Sequence, residues 1–68
     1  MKTTYKEFSI LVSSEHDDNS GLWNGRYRIL DDEGIVAYES FVEPQSEEEE
    51  AYENGKEAAK EWIDEQTA

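Results

Sequence analysis

The sequence predicts an α+β fold: a three-stranded antiparallel meander with one C-terminal helix packed on one face of the sheet (βββα). Two N-terminal segments alternate apolar and polar residues, as strands with one buried face do. The C-terminal segment instead repeats apolar residues at helical spacing behind an acidic start. With 68 residues the chain is long enough for one small domain, so we expect residues 1–68 to form a single unit.

The first strand is predicted between Tyr5 and Ser13, because Phe8, Ile10 and Val12 alternate onto one face. Leu11 breaks this alternation, since it points to the other face of the strand. We therefore expect Leu11 to be covered by a loop or by a partner.

Residues 14–21 are polar and rich in turn formers, which predicts a flexible loop. Asp17, Asn19 and Gly21 have the spacing that opens a calcium-binding loop. The twelfth position of such a loop would be Arg28, where a bidentate glutamate is required. We therefore interpret this segment as a solvated loop and predict no metal site.

The second strand is predicted from Leu22 to Leu30, with Trp23, Tyr27 and Ile29 on one face. The pair Asn24-Gly25 complicates this prediction, because Asn-Gly is a strong hairpin-turn signal. The strand either bulges at this pair or begins only after it, and the sequence leaves both alternatives open.

Residues Asp31–Gly34 form a predicted turn, followed by a third strand from Ile35 to Val42. A four-residue turn places Ile29 opposite Val36, Tyr27 opposite Tyr38 and Arg26 opposite Glu39. A three-residue turn places Ile29 opposite Ala37. The four-residue turn is preferred, because it separates apolar from charged residues more cleanly.

A capping box at Ser46-Glu47-Glu48-Glu49 predicts the start of the helix, which we expect to continue to about Gln66. The acidic residues at this start also suit the positive end of the helix dipole. Trp62 and Ile63 are predicted to anchor the far end on the sheet, and Lys60 and Asp64 to form an i,i+4 ion pair. The stripe predicted to face the sheet consists of Ala51, Gly55, Ala58, Ala59, Trp62 and Ile63.

The formal net charge of −12, from 18 acidic and 6 basic residues, argues against binding to nucleic acid or to anionic membranes. The acidity suits either simple solubility or a basic partner surface. The chain has no cysteine, no segment resembling a signal peptide and no apolar run of membrane-spanning length. These features predict a bacterial, cytoplasmic protein.

Catalytic and cofactor-binding motifs are missing from the sequence, so we predict that the protein is not an enzyme and holds no cofactor. It has one histidine, His16, and no cysteine, and no serine stands in a nucleophile-elbow motif. Arg26 and Arg28 form the one basic cluster, and we expect them to pair with Glu39 and Glu7 across the sheet.

Leu11, Phe41 and Tyr52 are the candidate interaction residues, because the predicted core does not use them fully. Small domains often enlarge their core by association, and a meander leaves two strand edges unpaired. We therefore predict a homodimer or the addition of a partner strand. The functional expectation is a small acidic binding or accessory protein. The alternative is an inhibitor whose acidic surface occupies the basic nucleic-acid-binding groove of a partner.

Two resemblances accompany this interpretation. One is carried by residues 5–12, Gly21-Leu22-Trp23, Gly34, Phe41 and residues 50–64. The order of these features resembles a group of small uncharacterised bacterial proteins of strand–strand–strand–helix build, which implies the fold and no activity. Residues 48–58 are similar to the helix of HicB-like antitoxins, which implies an antitoxin role. The Pro-Asp-x-Pro-Gly turn of those antitoxins is replaced here by Leu30-Asp31-Asp32-Glu33-Gly34.

Overall fold

The computed structural model describes residues 2–67 and shows one antiparallel sheet followed by one helix. Met1 and Ala68, the ends of the predicted domain, lie outside the described residues. The α+β class and the C-terminal helix are confirmed, but the sheet has four strands rather than three, in the order β1-β2-β3-β4. The elements are β1 (Lys2–Tyr5), β2 (Phe8–Asp17), β3 (Leu22–Leu30), β4 (Val36–Phe41) and α1 (Glu48–Thr67).

The extra strand arises because the predicted first strand is interrupted by a tight turn at Lys6 and Glu7. Both residues have positive φ, 46° and 71°, and Tyr5 pairs with Phe8 across them. A two-residue loop with positive φ at both positions is a type I′ turn, whose twist matches that of the flanking strands. Asn and Gly are the usual residues of this turn, so Lys-Glu gave no turn signal in the sequence.

The second hairpin is longer than predicted, because β2 continues to Asp17 and only residues 18–21 form its turn. The prediction of a flexible loop over residues 14–21 was therefore wrong for its first half. The Asp17 carbonyl accepts from the Gly21 N–H at 2.7 Å, and the Asp17 carboxylate accepts from the Asn19 N–H at 2.9 Å. His16 lies in the strand, with its ring 4.9 Å from that of Trp23.

The Asn24-Gly25 pair is neither a bulge nor a turn, because β2 and β3 pair without interruption from Asp17↔Leu22 to Ser9↔Leu30. Gly25 is buried where the start of α1 crosses the sheet. A Cβ at this position would lie 2.7 Å from Val42 Cγ2 and 2.8 Å from the carbonyl oxygen of Ala51. The glycine therefore permits close approach of helix and sheet, and it does not reverse the chain.

The register between β3 and β4 differs from both predicted alternatives. Ile29 lies opposite Tyr38 and Tyr27 opposite Ser40, with an irregularity at the Ile29/Leu30 step. The connection is longer than predicted because the Asp31 carboxylate accepts from the backbone N–H of Glu33 and of Ile35, both at 2.9 Å. Since the offset from the preferred register is two residues, each side chain keeps its predicted face.

The helix starts at Glu48, so its N-cap lies one residue later than the predicted capping box places it. The Ala51 N–H donates to the Glu47 carbonyl at 3.2 Å, which makes Glu47 the N-cap residue by its backbone. Ser46 is exposed in the bend before the helix, and its hydroxyl makes no hydrogen bond within residues 2–67. The predicted serine cap was therefore wrong, while the acidic first turn of the helix is confirmed.

The core lies between α1 and the two central strands. Ile10 and Ile29 from the sheet and Ile63 from the helix are completely buried, and Ala59 lies among them. Gly55 lets α1 approach β2, since a Cβ there would lie 2.8 Å from Val12 Cγ1. Two residues of the predicted helix stripe, Ala58 and Trp62, are only partly buried. The other four are buried, as predicted: Ala51, Gly55, Ala59 and Ile63.

The last turns of α1 contact the hairpin formed by β1 and β2. Asp64 Oδ1 accepts from the Lys6 ammonium at 2.7 Å and from the Tyr5 hydroxyl at 2.9 Å. These two hydrogen bonds hold the pKa of Asp64 below its usual value, with Lys6 the larger cause. Lys60 lies over the Tyr5 ring, 5.4 Å from its centre. The predicted Lys60–Asp64 pair is therefore replaced by contacts of both residues with the β1–β2 hairpin.

Candidate functional site

The three residues predicted for interaction lie on two different sides of the molecule. Leu11 and Phe41 are on the face of the sheet that α1 does not cover, hereafter the open face. Tyr52 lies on the helix side, where it packs against the core. The structure therefore places Leu11 and Phe41 on one surface and separates Tyr52 from it.

The outer strand β4 exposes more large apolar side chains than any other part of the described chain. We refer to residues 35–41 as the β4 edge. Phe41 is 70% exposed and Ile35 is 60% exposed, with Val36 and Tyr38 at 48% and 40%. The edge contains one ionisable acid, Glu39, and neither a proline nor a lysine. Natural sheet edges usually carry such residues to prevent strand pairing, and this one does not.

The backbone of β4 presents hydrogen-bonding groups away from the sheet. The Val42 N–H donates to the Gly25 carbonyl at 3.0 Å, so Val42 and every second residue before it point their backbone groups toward β3. The N–H and C=O groups of Glu39 and Phe41 therefore face outward. No strand of the described chain lies on this side of β4.

The open face is crossed by two rows of side chains that the strand register aligns. Lys2, Leu11, Arg28 and Glu39 lie in one row across all four strands. Ser13, Arg26 and Phe41 lie in the next. Three of the six basic residues of this acidic chain, Lys2, Arg26 and Arg28, thus share one face.

A single carboxylate holds both arginines of the open face in position. Glu39 Oε2 accepts from Arg26 Nη2 and from Arg28 Nε, each at 2.7 Å. These hydrogen bonds, that of Arg26 first, hold the pKa of Glu39 below its usual value. The predicted partnership of the arginines with Glu39 is confirmed, whereas Glu7 lies in the β1–β2 turn and makes no ion pair within residues 2–67.

A shallow cavity of about 410 Å³ lies on the open face. Among the residues the structure describes, its walls contain cations and small or apolar side chains but no carboxylate. Each arginine has five N–H donors, and each uses one nitrogen on Glu39, so donors remain for a ligand. The cavity is lined by Lys2, Leu11, Val12, Ser13, Arg26 and Arg28.

The solvent side of α1 has the opposite charge. Exposed glutamates recur at every fourth position of the helix, so they form one row along it. Within the described chain one member, Glu53, has a cationic partner, Lys56, at 3.3 Å. Like charges at this spacing destabilise a helix by a few tenths of a kcal/mol for each pair. The row consists of Glu49, Glu53, Glu57, Glu61 and Glu65.

Residues 2–67 contain no group of three or more His, Asp or Glu side chains that could hold a metal ion. His16 Nδ1 lies 3.1 Å from Asp18 Oδ1, and its ring packs on Trp23. No helix of the described chain is long and apolar enough to cross a bilayer. Ser14 Oγ is buried without a hydrogen-bond partner in the described chain, and its surroundings do not explain this.

The exposed β4 edge was only partly predictable. The sequence identified Phe41 as unsatisfied by the core, but it predicted Val36 and Tyr38 as part of the buried face, and they are 48% and 40% exposed. The available signal was that Ile35 to Val42 contains one charged residue in a chain with 35% charged residues.

Comparison of the chain with protein-family models, curated proteins and solved structures finds no match. The two resemblances drawn from the sequence therefore stay predictions.

Proposed function

We propose that this chain is a small non-enzymatic binding protein of the bacterial cytoplasm that works as a homodimer joined along the β4 edge. The observation that carries the proposal is the combination of exposed apolar side chains with outward-facing backbone groups on a nearly neutral strand. Strand pairing at a free edge satisfies such groups and covers such side chains together.

The distribution of charge on the surface favours the β4 edge for contact between two copies. The net charge of −12 opposes association over most of the surface. At the β4 edge the single carboxylate, Glu39, is already paired with Arg26 and Arg28. A second copy can therefore approach here with the least repulsion.

A two-fold antiparallel pairing of β4 with its counterpart would make one eight-stranded sheet. The axis of such a pair is perpendicular to the sheet, so both helices lie on one side and both open faces on the other. Phe41, the most exposed of the large apolar residues, would then be covered at the seam.

Sedimentation equilibrium of the chain at about 20 mM and about 500 mM salt tests the dimer, because screening weakens the opposing repulsion. We expect a dimer that salt strengthens. Phe41→Lys should give a monomer at both salt concentrations. Ser13→Lys is the matched control, since it adds the same charge on the open face of an interior strand, and it should leave the dimer intact.

Two outcomes would contradict the proposal. A parent chain that is monomeric at both salt concentrations, even at high protein concentration, excludes the dimer. Equal weakening by Phe41→Lys and Ser13→Lys would mean that added charge alone matters and that the β4 edge is not the seam.

The second candidate function is inhibition of a partner with a basic nucleic-acid-binding groove. The glutamate row of α1 favours it, because the repulsion within this row lowers helix stability and, among residues 2–67, only its member Glu53 has a cationic partner. Affinity capture from the native cytosol, with a Glu57→Gln/Glu61→Gln/Glu65→Gln variant as control, tests it. A nucleic-acid-binding protein retained by the parent and lost with the variant supports inhibition. Equal capture by both chains would show that the glutamate row does not bind the partner.

A further inference from the structure

We propose that the open face binds an acidic amphipathic helix of a partner protein, with its carboxylates on Arg26, Arg28 and Lys2 and an aliphatic side chain on Leu11. This site is separate from the β4 seam. It would operate in the monomer as well as in the dimer, so its failure leaves the proposed dimer untouched.

Only one face of the sheet is covered by another element of the described chain. A sheet with one apolar face needs one covering element, and α1 supplies it through contacts with β2 and β3. The open face nevertheless carries Leu11, which α1 does not cover and which is only partly buried. An element laid on this face would bury Leu11, as helices do on the second face of three-layer folds.

The charge of the open face complements that of an acidic ligand. The cavity on the open face is lined by three cationic side chains, and the carboxylate bound to two of them, Glu39, offsets only one of the three charges. This is where an anionic group can gain contact energy on a chain of net charge −12. The wider negative field repels a polyanion such as nucleic acid, because that interaction depends on long-range attraction. The fitting ligand has a few carboxylates and an apolar stripe.

The two arginines of the open face are spaced and held in a way that suits the carboxylates of a helix. Arg26 and Arg28 are two residues apart on a strand, which separates them by about 7 Å. Acidic residues at i and i+4 of a helix are about 6 Å apart along its axis. Glu39 already holds both guanidinium groups at 2.7 Å, so little side-chain entropy is lost when a carboxylate binds.

A second copy of this chain is the poorer occupant of the open face. The outward side of α1 offers glutamates at the row positions, but its apolar stripe, including Ala59 and Ile63, is buried against its own sheet. The outward side of α1 therefore cannot supply an apolar stripe to pack on Leu11 of another copy.

The test uses the full chain and synthetic peptides of about 18 residues, long enough for five helical turns. Each peptide has one leucine stripe, flanked by Glu in the first peptide and by Lys in the second. Amide chemical-shift mapping locates binding even when it is weak. We expect the Glu peptide to shift amides of Leu11, Arg26 and Arg28, and the Lys peptide to leave them unchanged.

Matched variants separate the site from general charge. Arg26→Gln/Arg28→Gln should weaken binding of the Glu peptide by about tenfold or more, which corresponds to about 1.4 kcal/mol. Lys56→Gln/Lys60→Gln removes the same charge on the helix side and should change binding less than twofold. Retention of the native spectrum by each variant, outside its own site, confirms that the fold is intact.

Several results would overturn the proposal. These are no shifts with the Glu peptide, shifts confined to α1, or equal weakening by the two double variants. Displacement of the Glu peptide by inorganic phosphate alone, or tighter binding of a single-stranded oligonucleotide, would show a general anion site instead.

Discussion

The Tyr5 hydroxyl donates a hydrogen bond of 2.9 Å to Asp64, which ties the first hairpin to the last turns of the helix, 59 residues later in the chain. The Lys6 ammonium binds the same carboxylate oxygen at 2.7 Å. The two ends of the described chain are thus fastened by one acidic side chain at the surface, where its effect on stability can be measured by titration.

Asp64→Asn should lower the free energy of unfolding at neutral pH, and the difference from the parent should vanish in acid. The hydrogen bonds from Lys6 and Tyr5 depress the pKa of Asp64 in the folded chain. Its contribution is therefore complete above the unfolded pKa of about 3.9 and is lost as pH falls through the lower folded pKa. Urea unfolding at about pH 7 and about pH 2.5 measures both differences.

Tyr5→Phe is the companion variant, because it removes one hydrogen bond and keeps the Lys6 ion pair. We expect a smaller loss than for Asp64→Asn at neutral pH. A difference between parent and Asp64→Asn that does not change with pH would contradict the role given to this carboxylate.

Glu7→Gly should stabilise the protein by about 1 kcal/mol, since a non-glycine residue pays roughly this cost in the left-handed region. Glu7 has φ of 71° in the type I′ turn. Glu33→Gly is the control with the same charge change in a turn residue that does not have positive φ. Thermal melting should show a rise for the first variant and no rise for the second. An equal rise in melting temperature for both variants would mean that the loss of negative charge, and not the relief of positive φ, stabilises the protein.

Gly25→Ala should cost about 2 kcal/mol, because overpacking of a closed contact costs about 1–3 kcal/mol. The added methyl would meet Val42 Cγ2 at 2.7 Å and the Ala51 carbonyl oxygen at 2.8 Å. The second contact is with helix backbone, so adding Val42→Ala should restore only part of the loss. Asn24→Ala, one residue earlier, serves as the control in denaturant titrations. An unchanged midpoint for Gly25→Ala would mean that the helix can move away from the sheet at no cost.

Tyr38 and Trp62 should be energetically coupled. Their rings stack at 5.2 Å with an angle of 11° between planes, and the Trp62 ring is also perpendicular to that of Phe8, with the ring centres 6.1 Å apart. A double-mutant cycle with Tyr38→Ala and Trp62→Ala should give a coupling of about 0.5–1.5 kcal/mol. The cycle is measured at low salt and low protein concentration to avoid association. Strict additivity of the two losses would show that the stack contributes nothing.

Ser14→Ala should raise the free energy of unfolding by about 1 kcal/mol, because a buried hydroxyl without a partner retains its desolvation penalty. Ser14 Oγ is buried and unpaired within residues 2–67. Ser13→Ala on the exposed side of the same strand should change stability little. A loss on Ser14→Ala would indicate that water or a partner satisfies this hydroxyl.

The candidate surfaces could be predicted only in part. Leu11 and Phe41 stood out because each breaks the apolar pattern of its strand, and pattern breaks are local. The alignment of Lys2, Leu11 and Arg28 in one row depends on pairing between strands. No local pattern contains that alignment, so the cavity could not be predicted.

The sequence by itself determined which faces are apolar and where the helix lies. The alternation of Phe8, Ile10 and Val12 and the stripe of Ala59 and Ile63 depend only on the geometry of strands and helices, which has a fixed period. The observed register of β4 differs from the predicted one by two residues, which leaves these faces unchanged. The predicted faces were therefore correct although the predicted register was wrong.

Only the tertiary structure decided which pairs of residues make turns and which make contacts. Asn24-Gly25, the strongest turn signal, lies in mid-strand because Gly25 must admit the Ala51 carbonyl. Lys6-Glu7, with no turn signal, forms a type I′ turn while Lys6 is held by Asp64. Both outcomes involve contacts between residues distant in the chain, which no local turn signal contains.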